Sequence, residues 1–285
     1  MIAQNFEYSA PANLNEALRL LAGENTKVLA GGMSLIPLMK LRLSVPDQLV
    51  DIGRIPELNY IREDSGNLRI GATTTHHQVE SSPLVRSRCP LLAEAAGFIG
   101  DIQVRNQGTL GGSIAHADPA ADYPASLLAL EAKVVLVKAT GQREIPITEF
   151  FVDTFTTALE PGEIVKEVII PVEAQSTGTS YQKMLQPASG FAIVGIAARI
   201  RKTGGKIAMA RVGVTGVSGK PYRASNVEKV LEGTAGSVED IKKAAALVAD
   251  GVDANSDLFA SAHYRAHLAR IYTARALTVA SSRTA

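Results

Sequence analysis

The sequence predicts an α+β protein of two units, because two different patterns follow one another along the chain. Up to about residue 174, short apolar segments of strand length alternate with segments whose apolar residues recur at helical spacing. After a polar stretch at residues 173–179, two strand-like segments flank Gly204-Gly205 and three helical segments follow. We therefore expect a first unit at 1–174, divided into about 1–55 and 56–174, and a second α+β unit at 175–285 with an antiparallel sheet and helices.

Each element follows from spacing and capping residues. Apolar residues at helical spacing between Leu14 and Leu21 predict the first helix, which Asn13 can cap. The rest of the first subdomain is predicted as a strand at 27–29, a helix at 35–41 capped by Ser34, and a strand at 49–52.

The second subdomain and the C-terminal unit are predicted in the same way. In the second subdomain we expect strands at 68–72 and 134–138, helices at 76–80 (capped by Thr75), 91–98 and 125–130, and closing segments at 145–151 and 164–171. Residues 105–124 are rich in turn-forming types and are predicted to be mostly turn. The C-terminal unit is predicted to hold strands at 192–200 and 207–214 and helices at 225–232, 238–249 and 262–280.

Composition excludes several classes of function. The formal net charge is +1, so no excess of positive charge points to nucleic acid or an anionic membrane. The single cysteine, Cys89, excludes a disulfide within the chain and an iron–sulfur cluster held by its own thiolates. The chain begins without a signal-peptide pattern and has no apolar run of roughly 20 residues, so we expect a cytoplasmic protein.

Two Gly-Gly loops carry the strongest chemical signal. They are AGGMS at 30–34 and GTLGGS at 108–113. A pyrophosphate needs converging backbone N–H groups with no side chain in the way, and glycine allows that approach. Neither loop matches the Gly-x-Gly-x-x-Gly fingerprint or a P-loop. Either loop alone is explained at least as well by a tight turn, but the pair favours a dinucleotide.

Two aspartates follow the second loop. A carboxylate there can accept hydrogen bonds from ligand hydroxyls but repels phosphate, so ribityl or ribose hydroxyls are its natural partners. Asp118 precedes a proline and is readily explained as the first residue of a turn. For Asp122, the ligand-binding and the structural interpretation both stay open.

At this point the residues resemble a known family, the FAD subunits of the molybdenum hydroxylases, which include aerobic carbon monoxide dehydrogenase, quinoline and nicotine hydroxylating enzymes and xanthine dehydrogenases. The resemblance runs nearly end to end and is carried by AGGMSLIPLMKLRLSVPDQLVDIGRIPEL, IGDIQVRNQGTLGGSIAHADPAADYPA, RVGVTGVSGKPYRASNVEKVLEG and SAHYRAHLARIYTARAL. It implies an FAD-binding fold of two subdomains, of the vanillyl-alcohol-oxidase/PCMH type, followed by a C-terminal domain of the CO-dehydrogenase flavoprotein type.

The resemblance also implies a cofactor site. The residues that would hold the FAD pyrophosphate are Ala30, Gly31, Gly32, Met33, Ser34, Thr109, Gly111, Gly112 and Ser113, and Leu35 would also bind the cofactor. A valine at position 111 is then expected to enter the pyrophosphate site. Asp122 would lie near the ribityl or ribose hydroxyls, Lys183 near the flavin ring as a cation, and Phe191 against the isoalloxazine. The alternatives are an exposed surface lysine for Lys183 and plain core packing for Phe191.

Two departures from the family pattern weaken parts of that site. Met33 stands where glutamine or histidine is frequent, and a thioether accepts hydrogen bonds weakly. Residues 186–189, QPAS, stand where many members carry a basic side chain. The histidine pairs His76-His77 and His263/His267 lack further metal ligands, so we expect no metal site and name no catalytic residue.

The division of labour in the family gives the expected function. A large partner subunit would hold a molybdenum–pterin cofactor and a small one two [2Fe–2S] clusters, as a dimer of heterotrimers. This chain would hold FAD and pass electrons to an external acceptor. A self-sufficient flavoprotein of the same fold and a non-enzymatic nucleotide-binding module remain alternatives. The substrate, whether carbon monoxide, an N-heterocycle, an aldehyde or a purine, stays open, as does the acceptor.

Overall fold

The computed structural model describes residues 2–174 and 176–284. The first subdomain is a three-stranded parallel sheet in the order β1-β3-β2 with two helices. Its elements are β1 (Glu7–Ser9), α1 (Leu14–Leu20), β2 (Thr26–Leu29), α2 (Leu35–Lys40) and β3 (Gln48–Asp51). Asn13 caps α1 by accepting a hydrogen bond from the amide of Glu16, as the sequence predicts.

The second subdomain holds a five-stranded antiparallel sheet in the order β4-β5-β10-β6-β7. After a short 3₁₀ turn at Pro56–Leu58, its elements are β4 (Ile61–Asp64), β5 (Asn67–Gly71), α3 (His76–Ser81), α4 (Pro83–Arg88), α5 (Pro90–Gly97), α6 (Ile102–Gln107), α7 (Leu110–His116), α8 (Asp122–Ala129), β6 (Lys133–Lys138), β7 (Gly141–Pro146), α9 (Ile147–Phe150), β8 (Phe151–Asp153), β9 (Thr156–Thr157) and β10 (Ile164–Pro171). Strands β8 and β9 form a separate short pair.

The prediction of mostly turn at 105–124 is wrong, since the second Gly-Gly pair lies inside the helix α7. Glycine has a low helix propensity, and this made the segment look like a loop. Tertiary hydrogen bonds override that preference. The amides of Leu110 and Gly111 donate to the carbonyls of Thr74 and Ala72, and the Thr109 hydroxyl caps the helix.

The C-terminal unit is a four-stranded antiparallel sheet, in the order β11-β12-β13-β14, covered by helices. Its elements are β11 (Thr177–Leu185), β12 (Ala192–Thr203), β13 (Lys206–Thr215), β14 (Tyr222–Arg223), α10 (Ser225–Leu231), α11 (Val238–Ala245) and α12 (Ala262–Ser282). The predicted hairpin is confirmed: Gly204 and Gly205 both have positive φ, as a two-residue hairpin turn requires. The three predicted helices are confirmed as well. The domain boundary predicted at 173–179 begins after β10, overlaps the first three residues of β11 and stays a prediction.

Helix α8 lies between the two larger sheets, and all eight of its residues are buried. It packs against β12 and β13 of the C-terminal unit. The approach is close at Gly213, where a Cβ atom would lie 1.9 Å from the carbonyl oxygen of Ala125. A polar group on such a helix has no access to water, so it needs a partner inside the protein.

Candidate functional site

A cavity of about 880 Å³ lies between the first subdomain, the start of α7 and the turn that precedes β12. This volume is in the upper part of the usual range for cofactor sites, roughly 300–1,000 Å³. Every predicted site residue except Lys183 lines it: Ala30, Gly31, Gly32, Met33, Ser34, Leu35, Thr109, Gly111, Gly112, Ser113, Asp122 and Phe191.

The first glycine loop presents a row of backbone donors to this cavity. None of the five consecutive amides from Gly31 to Leu35 donates to an acceptor within residues 2–174 and 176–284. Buried or half-buried backbone N–H groups normally have partners, so a run of five without one marks a place for an external acceptor. Such a nest of N–H groups suits the oxygens of a phosphate.

Two glycines give the loop its shape. Gly32 has φ +73°, a left-handed conformation that favours glycine. At Gly31 a Cβ atom would lie 2.0 Å from the carbonyl oxygen of Gln107, because the two glycine loops touch there. Ser34 is the residue before α2, as predicted, but its hydroxyl makes no capping hydrogen bond. The hydroxyl is therefore free to face the cavity.

The backbone amides of the second glycine loop are not free to bind a pyrophosphate, contrary to the expectation from the sequence. Its amides are already used, since those of Leu110 and Gly111 bond to Thr74 and Ala72 and that of Gly112 bonds to the Thr109 hydroxyl. A Cβ atom on Gly111 would lie 2.5–2.8 Å from Ala72, so a side chain there would strike strand β5 and not a ligand. The expectation that a valine at 111 enters the pyrophosphate site is therefore wrong. The segment contributes packing and the Ser113 side chain to the cavity.

Asp122 begins α8 at the cavity wall and is only 4% exposed. One carboxylate oxygen accepts a hydrogen bond from the Tyr181 hydroxyl at 2.5 Å, and the other accepts one from the Lys183 ammonium at 2.8 Å. Burial raises the pKa of Asp122 to about 6, and Lys183 and Tyr181 oppose that rise. The carboxylate is thus held by two partners from β11.

The side chain of Lys183 has no exposed surface, so the surface-lysine alternative is wrong. It does not line the cavity, and its ammonium is taken up by Asp122 and by the carbonyl oxygen of Phe98, at 2.9 Å. The expectation of a free cation beside a flavin ring is therefore corrected to an internal ion pair. That pair joins β11 of the C-terminal unit to the end of α5 and the start of α8.

The turn of residues 186–191, between β11 and β12, forms part of the cavity wall through Ser189, Gly190 and Phe191. Phe191 is 47% exposed and lines the cavity, so core packing does not explain it. The turn is closed by the amide of Gln186, which donates to the Phe191 carbonyl, and by the amide of Gly190, which donates to Gln186. Phe191 therefore presents an aromatic face to the cavity from a braced turn.

The sequence analysis missed His76 as a cavity residue. It is 5% exposed and lines the cavity beneath Gly108 and Thr109. Its Nδ1 lies 3.2 Å from the Tyr123 hydroxyl. The sequence carries one local signal for its position, since Thr75 caps α3, but nothing local links His76 to Tyr123.

Across residues 2–174 and 176–284, no group of three or more His, Cys, Asp and Glu side chains is placed to hold an ion. Cys89 is fully buried, and burial raises the pKa of its thiol to about 12. No helix in the same ranges has the length and apolar character needed to span a membrane.

The residues present fit FAD on two observations: the row of unpaired amides suits a pyrophosphate, and an exposed aromatic, Phe191, lines the same cavity. Comparison with known proteins agrees. The family described as the FAD binding domain in molybdopterin dehydrogenase matches residues 4–173, and the CO dehydrogenase flavoprotein C-terminal domain matches residues 179–280. The chain belongs to the FAD-binding medium subunits of the molybdenum hydroxylases.

Individual relatives support the same family. The medium subunit is 42% identical to the carbon monoxide dehydrogenase medium chain of Hydrogenophaga pseudoflava, with 100% of both chains covered. It is 38% identical to subunit alpha of the 6-hydroxypseudooxynicotine dehydrogenase complex of Paenarthrobacter nicotinovorans, covering 98% of this chain and 95% of that one. The solved carbon monoxide dehydrogenase of H. pseudoflava that lacks the Mo-pyranopterin moiety superposes with a TM-score of 0.97 at 42% identity, covering 100% of both chains. These matches confirm the predicted two-domain FAD-binding fold and an oxidoreductase subunit.

Two adjacent glycines of the medium subunit should lose different properties on the same substitution. Gly111→Ala forces a Cβ against Ala72 and should lower the free energy of unfolding by about 1–3 kcal/mol. Gly112→Ala meets only the Thr109 hydroxyl, at 2.7 Å, on an exposed face of the cavity. Because Gly112 lines the cavity, the added methyl group should weaken FAD binding, with a smaller loss of stability. Urea denaturation and flavin fluorescence titration measure the two effects, and equal behaviour of both variants would contradict this assignment of the two glycines.

Proposed function

We propose that this medium subunit receives electrons from [2Fe–2S] clusters of a partner subunit and passes them to an external acceptor through FAD bound in the cavity. The observation that carries the proposal is the row of five amides, Gly31 to Leu35, that are unpaired within the described residues and face a cavity that Phe191 also lines. FAD supplies the chemistry when bound, since a flavin accepts electrons singly and releases them in pairs.

The residues of this chain would bind and orient the cofactor. The amides of the first loop and the Ser34 hydroxyl would hold the pyrophosphate, and the ring of Phe191 would lie against the isoalloxazine. The Asp122–Lys183 pair would fix the part of the cavity wall where α8 begins. Its carboxylate, whose two oxygens are held by Tyr181 and Lys183, would accept hydrogen bonds from ligand hydroxyls. The chain's task in this proposal is to position the flavin within reach of a partner and of an acceptor.

The partners and the location belong to the same proposal. A large molybdenum–pterin subunit would hold the substrate, a small subunit would hold the clusters, and the complex would be a cytoplasmic dimer of heterotrimers. Relatives of this chain are named for carbon monoxide, glyceraldehyde, nicotine and caffeine. Medium subunits of such similar sequence accompany very different substrates. This supports placing the choice of substrate on another chain.

Native mass spectrometry of the tagged chain, purified from its own host, tests the proposal. We expect a complex with FAD on this chain, together with a molybdenum–pterin subunit and an iron–sulfur subunit. Dithionite should then reduce clusters and flavin in the intact complex. In a complex stripped of FAD the clusters should still be reduced, but their reoxidation by the physiological acceptor should be lost. Unchanged reoxidation without FAD would overturn the electron-transfer role, and turnover by the lone FAD-loaded chain would favour a self-sufficient flavoprotein.

A further inference from the structure

His76 lies where two parts of the cavity wall meet. It is the first residue of α3, next to Thr75, which forms an isolated β-bridge with Thr109. Its amide donates to the Gly108 carbonyl at 2.9 Å, so backbone bonds fix the imidazole beneath the second glycine segment. The imidazole lines the same cavity as the unpaired amides of the first loop.

The protonation state of this ring follows from its neighbour. The Tyr123 hydroxyl is fully buried, and within the described ranges its one hydrogen-bond partner is Nδ1 of His76, at 3.2 Å. If Nδ1 carried the proton, the phenolic O–H would be buried without an acceptor, which costs roughly 1–3 kcal/mol. Tyr123 therefore donates to Nδ1. A neutral imidazole then carries its proton on Nε2.

The ring remains neutral over the physiological range. Burial lowers the pKa of His76 to about 4, and the nearby positive charge of Arg105 acts in the same direction. Within residues 2–174 and 176–284, Nε2 has no hydrogen-bond partner, and it is not sealed from the cavity. A neutral N–H donor thus faces the space that the first loop also faces.

Gly108 provides an independent reason to assign a role to this edge of the ring. Its backbone, at φ −62° and ψ 143°, is one that any residue adopts, so conformation does not explain a glycine there. A Cβ atom at this position would lie 2.5 Å from Nε2 of His76 and 2.8 Å from its Cδ2. Glycine at 108 is therefore what leaves the Nε2 edge of the imidazole in place and accessible.

We propose that His76 is a further cofactor-binding residue, which donates a hydrogen bond from Nε2 to a pyrophosphate oxygen of FAD, with Tyr123 fixing the tautomer. This inference rests on the proposed function, since it needs FAD in the cavity. A phosphate oxygen is the expected acceptor because Nε2 lies under the same glycine segment that touches the first loop at Gly31. The donor adds to the row of amides from the neighbouring second glycine segment.

Titration of the deflavinated full chain with FAD, followed by flavin fluorescence, tests the proposal. His76→Phe removes the donor and should weaken FAD binding by about 10- to 100-fold, the value of one hydrogen bond to a charged group. His76→Gln keeps an N–H near the Nε2 position and should retain most of the affinity. His77→Phe is the matched control: His77 follows on the same helix, its side chain is 47% exposed, and it should bind as the wild type does.

Imidazole ¹⁵N NMR of the wild type gives a readout that does not depend on any variant folding. We expect His76 as the Nε2–H tautomer at pH 7, with an Nε2 resonance that shifts on addition of FAD or ADP but not of riboflavin, which has no phosphate. An Nδ1–H tautomer, or a resonance that FAD leaves unmoved, would overturn the inference. So would equal affinities for wild type and His76→Phe. A wild-type chain that fails to bind FAD at all would instead refute the proposed function.

Discussion

Lys183→Met should lower the free energy of unfolding by about 3–5 kcal/mol at pH 8, the usual cost of leaving a buried charge without its partner. In the wild type the ammonium lies 2.8 Å from the Asp122 carboxylate, and both side chains are almost inaccessible to water. The variant keeps the volume of the side chain but leaves Asp122 with Tyr181 alone. It also removes the donor to the Phe98 carbonyl, so the end of α5 should loosen. Urea denaturation at constant pH measures the loss.

The pH dependence of this loss has a definite sign. Burial raises the pKa of Asp122 to about 6, above the value near 3.9 of a carboxyl in an unfolded chain. The folded chain therefore binds the proton more tightly, and the stability contributed by this group is greatest below about pH 4 and falls as pH rises through 6. Without Lys183 the pKa rises further. The penalty of the substitution should thus be larger at pH 8 than at pH 6 and should be smallest below pH 6, where the carboxyl is neutral with or without its cation.

Two controls separate charge burial from other effects. The double variant Asp122→Asn Lys183→Met has no buried charge, and an asparagine can still accept from Tyr181, so it should be more stable than Lys183→Met alone at pH 8. Lys242→Met removes a surface ion pair with Glu239, 65% and 85% exposed, and should change stability by less than about 1 kcal/mol. A double variant no more stable than the single one would show that the lost charge pairing is not the cause.

Local sequence patterns predicted those elements that local forces determine. The hairpin of β12 and β13 and the helix α1 were predicted because a Gly-Gly turn and an Asn cap act over a few residues. Strand β4 was missed because it is short and largely exposed, so it lacks the apolar signal of a buried strand. Helix α7 was missed because its first amides are satisfied by Thr74 and Ala72, more than 35 residues earlier in the chain.

The difference between local and long-range interactions also explains which features of the site could be predicted from the sequence. The first glycine loop is local, and the sequence predicted its position, while the role of its unpaired amides stays a prediction. The ion pair of Asp122 with Lys183 joins residues 61 positions apart, and no spacing rule links them. Lysine is rarely fully buried, so the sequence favoured an exposed or ligand-facing side chain. His76 was overlooked for a similar reason, since its partner Tyr123 is 47 positions away.

Gly31→Ala should weaken FAD binding by at least about 100-fold, the value of two or more hydrogen bonds to a charged group. The new Cβ would lie 2.0 Å from the carbonyl oxygen of Gln107 and 2.9 Å from the Cα of Gly108. Both are backbone atoms, so neither can rotate away and the two loops must separate. Separation would move the amides that follow Gly31 out of line with a pyrophosphate. Flavin fluorescence titration of the deflavinated chain measures the loss.

Gly66→Ala is the control for replacing a glycine by alanine at a position away from the contact between the two loops. Gly66 lies in the turn between β4 and β5 at φ +73°, and a Cβ there meets no atom within 4 Å. The strained backbone should cost about 1 kcal/mol of stability and leave FAD affinity unchanged. If Gly31→Ala bound FAD as tightly as Gly66→Ala does, the contact between the loops would not be needed for the cofactor. Loss of affinity in Gly31→Ala alone, at comparable stability, would show that the closeness of the two loops sets the position of the amides.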